Sequence, residues 1–156
     1  MTDYQPRGMY FEDFEIGQRI VTAGRTITEA DIMTFAGLSG DFNQLHTDAE
    51  FAARSPFGQR IAHGLLVTGI ASGLASQTGI LEGTTIAFRE IREWKFAKPV
   101  FIGDTVHVVL VVTGLKPMAR LGGGVVNIKV DVRNQHDETV MRGIWAVIMA
   151  SRPAQQ

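Results

Sequence analysis

Ile61-Ala62-His63-Gly64-Leu65-Leu66-Val67-Thr68-Gly69-Ile70-Ala71-Ser72-Gly73-Leu74-Ala75-Ser76-Gln77 is the one strongly apolar helix that this chain offers. Followed on to Leu81, the stretch is interrupted by His63, Thr68, Ser72, Ser76, Gln77 and Thr78 and by glycines at 64, 69, 73 and 79. A membrane-spanning helix shows about 20 predominantly apolar residues, so the stretch is read as a soluble helix. It is apolar on nearly all sides because protein encloses it. The rest of the chain must supply that enclosure.

The enclosing material lies downstream. Helical patterns dominate from Thr28 to Gln77, and strand patterns dominate from Thr84 to Ser151. In Val125-Val126-Asn127-Ile128-Lys129-Val130-Asp131-Val132, the residues Val126, Ile128, Val130 and Val132 face one way, and Asn127, Lys129 and Asp131 the other. That alternation predicts a half-exposed strand. Thr105–Thr113 and Ile144–Met149 are richer in apolar residues and read as more completely buried strands. Ile86–Phe96 is a further extended run, ended by Lys98-Pro99 because proline restricts its predecessor and has no N–H for a ladder. Asn134-Gln135-His136-Asp137-Glu138 joins two strands as a hairpin, and Gly122-Gly123-Gly124 reads as a flexible hairpin turn. Four or five strands separated in sequence from the helices predict an α+β fold, an antiparallel sheet that covers its apolar face with the Ile61–Gln77 helix.

Composition bounds the rest. The 156 residues suit one domain, and 45% hydrophobic with 20% charged residues is ordinary for a globular protein. Fifteen basic against sixteen acidic residues leave no electrostatic footprint for nucleic acid. The absence of cysteine excludes disulfides and thiolate metal sites. Met1–Gly8 is polar and unlike a secretory signal, so a cytoplasmic location is expected. Residues 1–8 and 153–156 are expected to be loose.

The chemistry lies upstream of the helix. Thr28-Glu29-Ala30-Asp31 reads as a helix start, with Thr28 capping, and Ile32, Phe35, Ala36 and Ser39 follow at helical spacing until Gly40 stops them. A second start is read at Thr47-Asp48-Ala49-Glu50, which places His46 just outside a capped helix. Asp41-Phe42-Asn43-Gln44-Leu45-His46 is then one short loop carrying a carboxylate, an amide and an imidazole. An isolated Asp after a glycine ordinarily just turns the chain, and an isolated His before a helix ordinarily packs. Together, and with Ala62-His63-Gly64 at the start of the apolar helix, they outline an acid/base site.

Asp41-Phe42-Asn43-Gln44-Leu45-His46, His63-Gly64 and Pro99-Val100-Phe101-Ile102-Gly103-Asp104 resemble the MaoC-like dehydratases, the family that includes the (R)-specific enoyl-CoA hydratases. The likeness runs from Tyr10 to Met149 and includes Tyr10-Phe11-Glu12-Asp13-Phe14-Glu15-Ile16-Gly17. Gln44 departs from it, since the family usually has proline there; the change affects loop stiffness and none of the reacting groups. The resemblance implies the hot-dog fold, a curled antiparallel sheet around a long central helix. It also implies a homodimer or a dimer of dimers, which would cover the sheet edge. The implied substrate is an acyl-CoA thioester, with coenzyme A as part of the substrate, no further cofactor and no metal.

Hydrating a double bond conjugated to a thioester requires a base for water, an acid for the α-carbon and donors for the enolate-like oxygen. Asp41 and His46 are the candidate catalytic residues, able to hold one water between them. In the family this gives syn addition and an (R)-3-hydroxyacyl product. Gly64 is the candidate oxyanion donor, because helix N-terminal N–H groups favour negative charge and a missing Cβ lets an oxygen approach. Asn43 either orients a catalytic group or stabilises the loop, and His63 caps, packs or contacts substrate without acting as a base. Gly103-Asp104 is read as a structural turn. Phe42, Leu65, Thr68 and Gly69 are candidate tunnel residues, and Arg89, Lys95 and Arg120 are available for coenzyme A phosphates. A 3-hydroxyacyl-ACP dehydratase, an acyl-CoA thioesterase and a non-catalytic acyl-thioester binding module remain as alternatives.

Overall fold

The computed structural model describes residues 4–154. Two short strands, β1 (Arg19–Val21) and β2 (Arg25–Thr26), precede the helices α1 (Glu29–Ser39), α2 (Gln44–Thr47), α3 (Ala49–Ala53) and α4 (Gly64–Gln77). Four long strands follow: β3 (Thr85–Phe96), β4 (Thr105–Met118), β5 (Gly123–Arg133) and β6 (Thr139–Ala150). They form one antiparallel sheet in the order β1-β4-β5-β6-β3, with β2 also pairing with β4.

The period-two reading of β5 holds. Val126, Ile128, Val130 and Val132 are buried, while Lys129 is exposed and Asn127 and Asp131 are half-buried. In α4, Leu66, Val67, Ile70, Ala71, Leu74 and Ala75 are buried at helical spacing. They share one core with Val108, Val112, Val130, Trp145 and Val147 of the sheet. A hydrogen bond from the Trp94 indole N–H to Thr68 Oγ1 (3.1 Å) ties β3 to α4.

Enclosure of α4 is only half of what its composition suggests. Leu65 is 66% exposed, and Gly69, Ser72, Gly73 and Ser76 face outward with it. The helix has one sheet to pack on, so a single chain covers a single side. The strand β3 is likewise exposed almost throughout, with Ile86, Phe88, Ile91 and Phe96 presenting apolar surface at the end of the sheet order.

The glycines at 122–124 depart from the expected flexible turn. Gly122 makes the turn with φ 63°, but Gly123 and Gly124 are buried strand residues of β5. A Cβ on Gly123 would fall 1.9 Å from the Met149 carbonyl oxygen, and one on Gly124 would fall 2.4 Å from the Phe11 ring. Close packing, not mobility, is what requires glycine there. Asn134–Glu138 forms the expected turn, with Asn134 Oδ1 accepting from the His136 and Glu138 N–H groups. Asp104 also serves its turn, accepting from the Phe101 N–H (2.8 Å) and from Gln135 Nε2 (2.8 Å).

Of the termini expected to be loose, residues 1–3 and 155–156 lie outside the described residues. Arg7 bonds the Glu82 carboxylate at 2.6 Å, and the Gly8 N–H donates to the Glu82 carbonyl. No helix among the described residues is long and apolar enough to cross a membrane.

Candidate active site

The site is built where α1 ends and α4 begins. Thr28 caps α1 in a capping box with Asp31, and Gly40 terminates it in the left-handed conformation at φ 78°. Asn43 then caps a new turn at once, its Oδ1 accepting from the Leu45 N–H (3.0 Å). His46 consequently lies inside the short helix α2. The cap of α3 is Asp48, whose Oδ1 accepts from the Phe51 N–H, rather than Thr47. Thr47 is engaged elsewhere, its hydroxyl donating to the Phe42 and Asn43 carbonyls and closing the loop.

Asp41 points its carboxylate back over this loop, Oδ1 accepting from the Asn43 N–H (3.1 Å). His46 donates Nδ1–H to the Ile61 carbonyl (2.7 Å). A carbonyl only accepts, so the proton of the neutral ring sits on Nδ1 and Nε2 is left as an acceptor. Ile61 in turn donates its N–H to the Leu45 carbonyl (3.2 Å), and Ala62 donates to the Val100 carbonyl (2.7 Å). These bonds fasten the loop to the segment leading into α4. Arg60 adds a further tie, pairing with Glu29 at the start of α1 and donating to the His46 carbonyl (3.4 Å). That pairing holds the Glu29 carboxyl below the usual carboxylate range.

His63 is the N-cap residue of α4, yet its side chain makes no capping bond. It turns back to donate Nε2–H to the Asp41 carbonyl (2.9 Å) and is 2% exposed. Its ring lies against that of His46, with centroids 3.9 Å apart and planes tilted by 30°. Gly64 follows as the first residue of α4. The N–H groups of Gly64 and Leu65 precede the first intrahelical bond, from the Val67 N–H to the His63 carbonyl (3.2 Å). The space a Gly64 side chain would need is filled by Phe96, whose ring lies 2.5 Å from the position of a Cβ.

Asp41, His46, His63 and Gly64 all line a cavity of about 460 Å³, together with Phe57, Ile61, Ala62, Leu65, Phe96, Ala97, Lys98, Pro99, Val100 and Met141. Asn43 is turned to its own backbone and stands outside it. Of the candidate tunnel residues, Leu65 lines the cavity, whereas Phe42, Thr68 and Gly69 do not. Arg89, Lys95 and Arg120 are also absent from the lining; the ammonium group there is that of Lys98. Phe57, Phe96 and Met141 escape sequence reasoning because they come from three separated segments, and strand pairing of Phe96 with Met141 is what brings two of them together.

Asp41, His46 and His63 each offer a ligand atom within 4.8 Å of the others. His46 Nδ1 and His63 Nε2 are each engaged by a backbone carbonyl, which leaves one nitrogen of each ring and the Asp41 carboxylate able to exchange protons or to hold a ligand.

Comparison with known proteins adds to this geometry. Residues 13–136 match the MaoC like domain. The (R)-specific enoyl-CoA hydratase of Rhodospirillum rubrum is 42% identical over 108 residues, covering 69% of this chain and 72% of that protein. Protein MaoC of Klebsiella aerogenes is 41% identical over 105 residues, 67% of this chain, but the match spans only 31% of that longer protein. Among solved structures, the monoamine oxidase regulatory protein from Archaeoglobus superposes with a TM-score of 0.87 at 41% identity, covering 94% of this chain and 97% of the other. A double hot-dog protein of Mycobacterium tuberculosis superposes with a TM-score of 0.82 at 21% identity, over 98% of this chain and 47% of that one. The sheet wrapped on α4 is thus the hot-dog fold.

Proposed function

Because the chain belongs to the MaoC-like domain family, we propose that it is a hydro-lyase adding water reversibly to a trans-2-enoyl-CoA thioester to give an (R)-3-hydroxyacyl-CoA. The observation that carries this reading is the convergence of the Asp41 carboxylate and the His46 imidazole on one cavity that also receives the N-terminus of α4. A water held between Asp41 and His46 Nε2 gives up a proton to one of them as its oxygen bonds the β-carbon. The electron pair of the double bond moves into the thioester, where the Gly64 N–H stabilises the enolate oxygen. The proton taken from water then returns to the α-carbon from the same side. Atoms and charge balance without an oxidant or a reductant, so the scheme requires no redox cofactor, and coenzyme A enters as the carrier of the acyl group. His46 suits its part because the Ile61 carbonyl pins its tautomer with Nε2 free.

We also infer that the protein works as a homodimer. The outward face of α4 and the apolar residues of β3 form surface that one chain leaves uncovered, and a second copy supplies a matching strand edge. Light scattering at micromolar concentration should report a dimer or a multiple of one, and a clean monomer would overturn this assembly.

The test of the activity is to incubate the protein with crotonyl-CoA, follow loss of enoyl absorbance and determine product chirality. (R)-3-Hydroxybutyryl-CoA is the expected product. Release of free coenzyme A thiol would identify a thioesterase instead, and binding without turnover would identify a carrier module. Turnover confined to the acyl carrier protein thioester would move the substrate class. Predominantly (S) product would mean that water or thioester is placed differently.

A further inference from the structure

His63 is a buried polar side chain of the site that the proposed chemistry leaves unused, and its burial is not explained by stability. Only 2% of it is exposed, and its Nδ1 has no hydrogen-bond partner among the described residues. A buried polar atom without a partner is unfavourable to stability. A phenylalanine would fill the same volume between Phe35, whose ring centroid lies 4.9 Å away, and His46 without that cost. What an imidazole supplies there and an apolar ring does not is the Nε2–H donated to the Asp41 carbonyl (2.9 Å).

The position of His63 makes that bond consequential. Asp41 belongs to the turn after α1, His46 to α2, and Gly64 to the first turn of α4. His63 is bonded to the peptide of the first, packed against the ring of the second and covalently joined to the third. Asp41 itself is exposed, and its loop has no buried residue, so apolar packing does not hold it in place. A displacement of about 1 Å in a reacting group costs on the order of 100-fold in rate.

We propose that His63 is a positioning residue, which sets the Asp41 carboxylate against the His46 imidazole and the Gly64 N–H through its bond to the Asp41 carbonyl. This rests on the enoyl-CoA hydratase reading of the site. His63 lines the cavity but takes no part in the proton transfers of the scheme, so its removal acts on geometry and leaves every reacting group present.

Two variants separate this role from simple packing. His63→Phe keeps a flat buried ring against His46, removes the unpartnered nitrogen and deletes the donor. His63→Gln keeps an N–H donor near the position of Nε2. His63→Phe should melt no lower than the wild type, yet lose about 10- to 100-fold in kcat with KM changed by less than about threefold. His63→Gln should recover most of that loss. Backbone hydrogen exchange gives a readout independent of activity: amides of residues 41–46 should exchange faster in His63→Phe, and those of β5 and β6 should not. Retention of more than half of the wild-type kcat by His63→Phe would overturn the proposal, as would unchanged exchange at residues 41–46 or failure of His63→Gln to outperform His63→Phe. If the wild type proves inactive on every enoyl thioester, the functional reading fails by itself, and the exchange comparison still decides whether His63 holds the loop. Should His63→Phe melt early, the kcat and loop exchange of His63→Gln decide: wild-type values support the donor's role, and losses equal to those of His63→Phe refute it.

Discussion

The loop from Gly40 to Thr47 and the core under α4 are held by opposite means. No residue of the loop is buried, and its shape comes from side chains bonding to nearby peptides: Asp41 to Asn43, Asn43 to Leu45, Thr47 to Phe42, His46 to Ile61. The core has the reverse composition, with Leu66, Val67, Ile70 and Leu74 of α4 set against Val130, Trp145 and Val147. Apolar burial supplies stability without direction, whereas polar bonds to backbone supply direction with little net stability. The loop that presents Asp41 and His46 to the cavity is accordingly assembled from the second kind of interaction on a platform made from the first.

Changes in the loop should therefore abolish activity and spare the fold. Asp41→Asn and His46→Gln should each lower kcat by about 100- to 10,000-fold with an unchanged melting temperature. The double variant should be little worse than the worse single one, because either loss already disables the shared water. A folded single variant keeping more than about a tenth of the wild-type turnover would break the comparison.

Changes in the core should do the converse. Leu74 is buried and lies about 15 Å along α4 from Gly64 at the usual helical rise. Leu74→Ala should cost about 2–5 kcal/mol in urea unfolding while the kcat of the remaining folded protein is retained. A large fall in kcat at full folding would mean that core and site are less separable than the structure suggests.

The smallest effect belongs to the tie between the two regions. Arg60 holds the Glu29 carboxyl below its usual range, chiefly by the hydrogen bond. Such a depressed group adds stability above the ordinary glutamate range and loses it as pH falls through the folded-state value. Glu29 is more than half exposed, so solvent screening limits the pair to about 0–1 kcal/mol. Glu29→Gln should lower the melting temperature slightly at neutral pH, and the difference from wild type should vanish in acid. A difference that persists or grows in acid would assign the effect to something other than the ion pair.

Much of this was legible along the chain. The order of helices and strands, the alternation in β5, the cap at Thr28, the stop at Gly40 and the pairing of Asp41 with His46 all depend on neighbours a few residues away. Capping, periodicity and turn chemistry act over such distances, and so sequence alone determined the fold class and the short loop that brings Asp41 and His46 to one cavity. What lay beyond it required strands to meet. Phe96 and Met141 reach the cavity together only through the pairing of β3 with β6, and Gly123 and Gly124 are strand residues because they pair with β4 and β6, where Met149 and Phe11 leave no room for a Cβ. For His63 the sequence left capping, packing and substrate contact open, and only the folded chain decides against the cap and turns the ring back onto Asp41 and His46. Local rules specify which side chains the chain carries and which way each element runs; contacts between residues far apart in sequence decide which of those side chains face one another.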